Sequence, residues 1–228
     1  MIPLALFALI IGVILLVWPK TVKRWRLHSW RKHLNIRKKS RIFEYLFQDI
    51  NGFQLSKQAR RKNDAMALTY GEIQLESFIA LLCQIKLNAN SIFCDLGSGT
   101  GKAVIACSLI FDVKKCIGIE LLTPLHEAAV QVKNKLNQID SIKAQKIEFI
   151  NANFMEAMPK DVTLIFINAS AFFGEIWQKI IEELERLPHL QYIITTKPIK
   201  SQSFDVCYHS LITMSWGLVD ATIYRKKT

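Results

Sequence analysis

Short apolar runs rich in β-branched residues alternate along this chain with longer segments of helical periodicity. The helical segments lie near 42–66, 72–86, 102–111, 124–137 and 173–186. The apolar runs predict strands at 91–95, 115–119, 146–150, 162–168 and 190–196, with two more at 206–213 and 218–225. Strands that alternate with helices usually form a parallel sheet. The pattern therefore predicts a doubly wound α/β fold whose last two strands form an antiparallel hairpin around Ser215-Trp216-Gly217.

An uncharged apolar run, Ile2–Trp18, precedes all of these elements. As a helix it would span roughly 25 Å, at the short end of what crosses a bilayer. It lacks the basic start and the small-residue cleavage site of a signal peptide. Because the positive charges follow the run, we expect a transmembrane signal anchor at 1–19 and a body on the cytoplasmic side. A buried core helix is the alternative, and the absence of a polar face disfavours it.

The net charge of +11 is concentrated just after this run. No acidic residue precedes Glu44, whereas ten Lys and Arg residues lie between 20 and 41, which leaves 30 − 10 = 20 basic against 19 acidic residues in 44–228. We predict a basic juxtamembrane helical region at 20–65 that contacts anionic lipid, at about 1 kcal/mol per basic side chain. A solvated linker that only orients the protein is the alternative. Nucleic acid is the partner we expect least.

Three glycines follow the first predicted strand of the body, in the sequence Asp95-Leu96-Gly97-Ser98-Gly99-Thr100-Gly101-Lys102. A strand, a glycine turn and a helix start form a nucleotide-type site, because glycine lets a ligand approach the backbone. The dinucleotide pattern G-x-G-x-x-G is not met, since the third glycine falls one residue early. The G-x-G-x-G spacing after Asp95 instead predicts S-adenosylmethionine (SAM) as the cofactor, in a methyltransferase domain at 66–228.

Two further positions predict contacts to the same cofactor. Glu120 closes the second strand, 19 residues after Gly101, where a carboxylate can accept hydrogen bonds from both ribose hydroxyls. A helix N-terminal acid is the alternative for Glu120. Asn153 and Phe154 follow the third strand and could contact the edge and face of adenine, although Phe154 could also be an ordinary core residue. The five cysteines have no C-x-x-C spacing, so we predict buried free thiols and no metal site.

Several segments together resemble the non-SET, seven-strand histone-lysine methyltransferases of the disruptor-of-telomeric-silencing family. They occur in the family's order over about residues 66–226: Tyr70-Gly71-Glu72-Ile73, Asp95 to Gly99, Gly118-Ile119-Glu120, Asn153-Phe154-Met155-Glu156, Ile165 to Asn168 with Ala171-Phe172, Thr196-Lys197-Pro198 and Ser215-Trp216. The resemblance implies a Rossmann-like, seven-strand SAM-dependent methyltransferase sheet ending in an antiparallel hairpin. It also implies a protein-lysine N-methyltransferase. Together with the predicted N-terminal transmembrane helix, this gives an enzyme that is tethered to a membrane.

The resemblance also implies roles for single residues. Tyr70 and Glu72 would close over the methionine part of SAM, which Asp95, Gly97, Gly99 and Gly101 would cradle. Asn168 would lie beside the transferred methyl group. The lysine channel would be lined by aromatic side chains: Phe172, Trp216 and, in addition, Tyr224. The implied catalytic set is Asn168, Tyr70, Phe172 and Trp216, and the implied partner is a protein substrate that presents a lysine, at or near a membrane.

The chain departs from the family pattern where the acceptor would bind. Asn168-Ala169-Ser170-Ala171-Phe172 stands where the family has N-N-F-A-F, and Asn153 stands where it usually has Asp. The long helical region that precedes the fold in the family is also much shorter here. These differences leave two alternatives open: a methyltransferase for a small molecule or lipid, acting on N or O, and a non-catalytic SAM-binding membrane protein.

Overall fold

The computed structural model of the protein describes residues 28–60 and 71–227. The chain divides into two compact units, Met1–Ile42 and Phe43–Thr228. In the first unit, residues 28–33 are helical. The predicted anchor at 1–19, which contains the apolar run Ile2–Trp18, and the predicted domain boundary at 65/66 lie outside the described residues.

The fold prediction needs one correction, which concerns the membrane-spanning helix. No helix in ranges 28–60 and 71–227 is both long enough and apolar enough to cross a bilayer. The longest of them, Thr123–Ile139, has 17 residues and carries polar side chains throughout its length. The supported fold class is the seven-stranded α/β sheet.

The described helices and strands follow the predicted alternation. The helices are α1 (Ile36–Phe47), α2 (Gly52–Arg60), α3 (Leu75–Leu82), α4 (Lys102–Ile110), α5 (Thr123–Ile139), α6 (Ser141–Gln145), α7 (Phe154–Ala157) and α8 (Gly174–Arg186). The strands are β1 (Ile92–Leu96), β2 (Lys115–Glu120), β3 (Ile147–Asn151), β4 (Leu164–Ile167), β5 (Tyr192–Thr195), β6 (Phe204–Met214) and β7 (Gly217–Lys226). A short 3-10 turn, Ala169–Ala171, follows β4.

The strands form one seven-stranded sheet in the order β3-β2-β1-β4-β5-β7-β6. Strands β1 to β5 are parallel, and β7 joins β5 in the antiparallel direction. Strand β6 pairs with β7 as the edge of a long hairpin. The order reverses beside β1, which lies between β2 and β4, and ligands of open α/β sheets bind in the crevice at such a switch point.

Burial on both faces explains why the central strands β1, β2 and β4 appear in the sequence as nearly continuous apolar runs. Every residue of β1 is buried, and helix α4, which is apolar on all sides, is buried along its length after Lys102. Helix α8 is instead amphipathic and buries one stripe, consisting of Trp177, Ile180, Ile181 and Leu184. Helices with these two patterns exclude water from the sheet, as the hydrophobic effect requires.

Candidate active site

The polar residues predicted to carry chemistry gather at the carboxyl ends of the parallel strands. Asp95 lies within β1 and Glu120 ends β2. Asn153 follows β3 and Asn168 follows β4. Since parallel strands end at the same edge of a sheet, these four residues lie along one edge.

The glycine turn between β1 and α4 adopts a backbone conformation that other residues rarely take. Gly97, Gly99 and Gly101 have φ angles of 81°, 54° and 84°. A Cβ atom on Gly101 would lie 2.5 Å from Cζ of Phe149, so Gly101 allows close packing against the sheet. A Cβ atom on Gly97 would meet nothing within 4 Å, so this side of the turn faces open space. The turn is thus packed on one side and accessible to a ligand on the other.

Glu120 joins the end of β2 to the glycine turn. Its Oε2 accepts a hydrogen bond from Gly99 N at 2.8 Å, and its Oε1 accepts one from Leu122 N at 2.8 Å. The alternative of a helix N-terminal acid is therefore partly realised, because Leu122 immediately precedes α5. Each carboxylate oxygen retains a lone pair, so the side chain can still accept hydrogen bonds from a ligand.

The two buried carboxyl groups of the crevice have raised pKa values. Burial raises the pKa of Asp95 well above its ordinary value, and the nearby charge of Glu120 adds to this effect. Burial also raises the pKa of Glu120, against the opposing effect of backbone N–H groups that include those of Leu122 and Gly99. Two acids that are costly to ionise favour a ligand that brings positive charge or hydrogen-bond donors.

A cavity of about 270 Å³ lies over this part of the sheet edge. Its polar lining residues are Glu120, Asn153 and Asn168, and most of the remaining wall is apolar: Leu96, Leu121, Leu122, Leu125, Phe154, Met155, Ala171, Phe172, Ile176 and Ile180, together with Gly71 and Gly97. The rings of Phe154 and Phe172 meet edge to face with centroids 5.7 Å apart. An apolar slot with an acid at its edge fits an adenine-ribose unit, so the residues present are compatible with SAM.

Asn153 has a local structural task in addition to its place in the cavity. Its Oδ1 accepts a hydrogen bond from Met155 N at 3.1 Å and caps helix α7. Its Nδ2 donates to Glu156 Oε1 at 3.1 Å. The sequence suggested only an adenine contact, and the cap was missed although Asn is a common N-cap residue.

A second, smaller cavity lies beside the glycine turn and contains a charged residue that sequence reasoning missed. Lys102 Nζ donates to Glu72 Oε2 at 2.5 Å, and the same ammonium lies 5.5 Å from the ring centroid of Phe47. Asp95 and Asn168 line this cavity as well. In the sequence Lys102 is only the residue after the last glycine. Its ion pair could not be predicted because its partner, Glu72, lies 30 positions earlier in the chain.

The tip of the β6–β7 hairpin packs on the segment that contains Gly71 and Glu72. Glu72 N donates to Ser215 Oγ at 3.1 Å, and Ser215 N donates to Glu72 O at 2.8 Å. Ile73 forms an antiparallel bridge with Met214. The Trp216 ring covers Gly71, and a Cβ atom there would lie 1.6 Å from Trp216 Cζ3. Trp216 therefore borders the site through Gly71, which lines the cavity.

The resemblance implied roles at the site for two further aromatic residues, Tyr70 and Tyr224. Tyr70 lies outside the described residues. Tyr224 is buried in the core, where its hydroxyl accepts a hydrogen bond from Ile199 N at 3.0 Å. The expected place of Tyr224 in the lysine channel is thus replaced by a structural role. The error arose because Tyr224 lies on β7, and the sequence does not show which face of that strand meets the core.

A seven-stranded sheet with a terminal hairpin, a glycine turn after β1 and acids on β1 and β2 defines an S-adenosylmethionine-dependent methyltransferase. Comparison with known families is more specific. The family described as "Histone methylation protein DOT1" matches residues 56–217, and this chain belongs to that family. SAM is the cofactor of this class, which agrees with the prediction from the glycine turn.

Curated relatives carry the name "Histone-lysine N-methyltransferase, H3 lysine-79 specific". The relative from Caenorhabditis elegans is 29% identical over 151 residues, which cover 62% of this chain and 16% of that protein. The relative from Kluyveromyces lactis is 28% identical over 152 residues, which cover 62% of this chain and 26% of that protein. This chain therefore spans only about a sixth to a quarter of the length of these relatives.

Solved structures show the same fold at low sequence identity. TrmK of M. capricolum, solved with S-adenosyl-homocysteine, has a TM-score of 0.50 at 16% identity and covers 68% of each chain. A Streptococcus pneumoniae protein solved with S-adenosyl-L-methionine has a TM-score of 0.51 at 18% identity, over 68% of this chain and 72% of that one. At these identities the likeness concerns the fold alone.

These findings correct the membrane predictions. The relatives are named as histone-lysine methyltransferases, and no described helix could span a bilayer. The predicted localisation as a single-pass membrane protein is contradicted. The predicted partners, a bilayer at residues 2–18 and anionic lipid at the basic arm, are not supported. The prediction was weak because an apolar run only indicates that exposure to water is unfavourable. It does not indicate whether lipid or protein surrounds the run.

Proposed function

We propose that the protein is a protein-lysine N-methyltransferase that uses SAM as the methyl donor. The observation that carries the proposal is the position of Asn168 at the end of β4, on the wall shared by both cavities. A polar amide at this point, in a cavity that Glu120 and Phe172 also line, suits a site where an amine meets a methyl donor. Membership of the DOT1 family supports the same reaction.

The cofactor would be held by residues on both sides of the glycine turn. The ribose would meet Glu120, and adenine would lie between Asn153 and Phe154 in the apolar slot. The methionine part would lie along Gly97, Gly99 and Gly101 next to Asp95, with Tyr70 and Glu72 closing over it. Bound there, SAM supplies an electrophilic methyl group on a sulfonium.

Methyl transfer to nitrogen depends on alignment and on exclusion of water more than on acid or base groups. The acceptor lysine must arrive as a neutral amine, because the ammonium has no lone pair. An apolar channel lowers the pKa of the amine by making the charged form costly to bury. In our proposal Phe172, Trp216 and Tyr70 provide that environment, and Asn168 orients the amine.

We propose a histone H3 lysine as the first acceptor to test, because the relatives are named for that substrate. Since the chain spans a small part of those proteins, recognition of a whole nucleosome is a separate question. The segment after Asn168 supports a second candidate, a small-molecule acceptor. The family's Asn and aromatic are replaced there by Ala169 and Ser170, within a short 3-10 turn.

A labelling experiment separates these candidates. The purified full chain is incubated with tritiated SAM and, in parallel, with reconstituted nucleosomes, free histones, a protein extract and its small-molecule fraction. We expect label in protein lysine, located by mass spectrometry, and its loss in Asp95→Asn. Glu148→Gln, which alters an exposed acid on β3, is the matched control. Label only in the small-molecule fraction would support the second candidate, and tight SAM binding without any label would refute both.

A further inference from the structure

We propose that Thr196 is a positioning residue that fixes the orientation of the Asn168 side-chain amide. The proposal deepens the function above and rests on it for its catalytic meaning. Strands β4 and β5 are parallel neighbours in which Ile167 is opposite Thr195. The residues that follow these two, Asn168 and Thr196, are therefore also neighbours, at the edge of the cavity.

The hydrogen bonds around the Thr196 hydroxyl define a direction. Ala169 N donates to Thr196 Oγ1 at 3.0 Å. Thr196 Oγ1 in turn lies 3.0 Å from Asn168 Oδ1 and donates to it. Because the backbone N–H already occupies the hydroxyl oxygen, the hydroxyl proton is available for an acceptor. The Asn168 side chain provides this acceptor, because its Oδ1 faces the Thr196 hydroxyl.

This direction matters because the two ends of an amide group have almost the same size. Oxygen and NH₂ differ in hydrogen bonding and hardly at all in shape, so packing alone does not choose between them. With oxygen held by Thr196, the Nδ2 group has no hydrogen-bond partner among the described residues. Asn168 lines both cavities, so its free donors and the second lone pair of Oδ1 remain for ligands.

Lys197, the residue after Thr196, contacts the far end of the connection between β4 and α8. Lys197 Nζ donates to the Phe172 carbonyl and lies 4.0 Å from the ring centroid of Phe173. The Thr196-Lys197 pair thus contacts the connection between β4 and α8 at its beginning and near its end. The Lys197 contact orders the backbone, whereas the Thr196 hydroxyl is the group that distinguishes the two orientations of the amide.

Substitutions at Thr196 that keep its size can separate the effect of the hydroxyl group from the effect of the side-chain volume. Thr196→Val keeps the shape and removes both hydrogen bonds of the hydroxyl, the one to Asn168 and the one from Ala169 N, and Thr196→Ser keeps the hydroxyl. Thr195→Val is the matched control: the Thr195 hydroxyl accepts a hydrogen bond from Lys197 N at 3.1 Å and none is formed with Asn168. Both Val variants remove one hydroxyl next to the same strand end, but only the one at 196 alters the amide.

The first measurement does not depend on any methyl acceptor. In ¹⁵N-labelled full-length protein, the Asn168 side-chain amide signals are assigned by their loss in Asn168→Ala. We expect one sharp pair in the wild type, in Thr196→Ser and in Thr195→Val, and a shifted or exchange-broadened pair in Thr196→Val. An unchanged pair in Thr196→Val would overturn the proposal, whether or not the protein transfers methyl groups.

The second measurement tests the catalytic consequence. With the acceptor found by labelling, we expect Thr196→Val to lower kcat about tenfold, the effect of losing the hydrogen bond to Asn168, with little change in the KM for SAM. Thr196→Ser should recover most of kcat. In an Asn168→Ala background, Thr196→Val should have no further effect. An equal loss in both backgrounds would show a general structural role and refute positioning. If the wild type labels nothing, the proposed function fails while the amide signals still decide the orientation.

Discussion

Glu72 and Lys102 form an ion pair across the smaller cavity, with Nζ and Oε2 2.5 Å apart. Their side chains are only 15% and 25% exposed, so solvent screens the pair less than it screens a surface contact. Glu72 belongs to the segment that we propose closes over the methionine part of SAM. The pair therefore connects that segment to the first residue of helix α4, directly after the glycine turn.

Replacing Lys102 by methionine should weaken cofactor binding. The apolar side chain keeps most of the packing volume but removes the ion pair with Glu72, so one of the contacts that hold the segment is lost. We expect the affinity for S-adenosyl-homocysteine to fall about tenfold, or about 1.4 kcal/mol, by isothermal titration calorimetry. Lys115→Met breaks another Lys–Glu pair, with Glu148, in which both side chains are over 40% exposed. Equal effects of both variants would contradict this prediction.

Replacing Glu120 by glutamine should reduce both stability and cofactor affinity. The carboxylate accepts backbone hydrogen bonds on both oxygens, whereas an amide has only one oxygen and would turn its NH₂ group toward a backbone N–H. One buried donor would lose its acceptor, at a cost of about 1–3 kcal/mol. Thermal unfolding should show a lower Tm, and calorimetry should show at least tenfold weaker binding. Normal binding by Glu120→Gln would exclude Glu120 as the ribose ligand.

The buried acids predict an unusual dependence of stability on pH. Burial raises the pKa of Asp95 in the folded protein above its value in the unfolded chain. The unfolded chain therefore releases this proton first, so the free energy of unfolding decreases as pH rises from about 4, the ordinary aspartate pKa, to the raised pKa. Asp95→Asn should remove the Asp95 contribution to this decrease, while that of Glu120 remains, and be more stable than the wild type at neutral pH. Urea unfolding between pH 4 and 8 measures it, and a less stable Asp95→Asn at pH 7.5 would refute it.

The contact between Gly71 and Trp216 should not tolerate a side chain at position 71. A Cβ atom there would overlap the indole ring, so Gly71→Ala should displace the ring and lower both Tm and methyl transfer. Adding Trp216→Ala should restore the Tm by making room for the new methyl group. Activity should stay low, because the double variant lacks the aromatic side chain that we propose borders the lysine channel. If Trp216→Ala alone has full activity, Trp216 has no part in the channel.

Much of the fold could be predicted from local patterns. All seven strands were predicted to within a few residues. Burial on both faces gives β1, β2 and β4 continuous apolar runs, whereas β6 and β7 are largely exposed. Strand β6 begins two residues earlier than predicted, at Phe204. The short helices α6 and α7 were not predicted, since segments of four or five residues hardly show a period. The transmembrane prediction failed for a different reason. Hydropathy measures how unfavourable exposure to water is, and it does not identify whether lipid or protein surrounds the segment.

The sequence by itself determined the seven-strand alternation, the glycine turn that implies SAM, and the acid on each of the first two strands. These features depend on residues close together in the chain, where spacing and physical role are directly linked. Only the tertiary structure decided that Lys102 pairs with Glu72, that Trp216 covers Gly71, that Tyr224 belongs to the core and that Thr196 orients Asn168. Such contacts join residues about 25 to 145 positions apart. They depend on strand order and side-chain direction, which no local pattern in the sequence specifies.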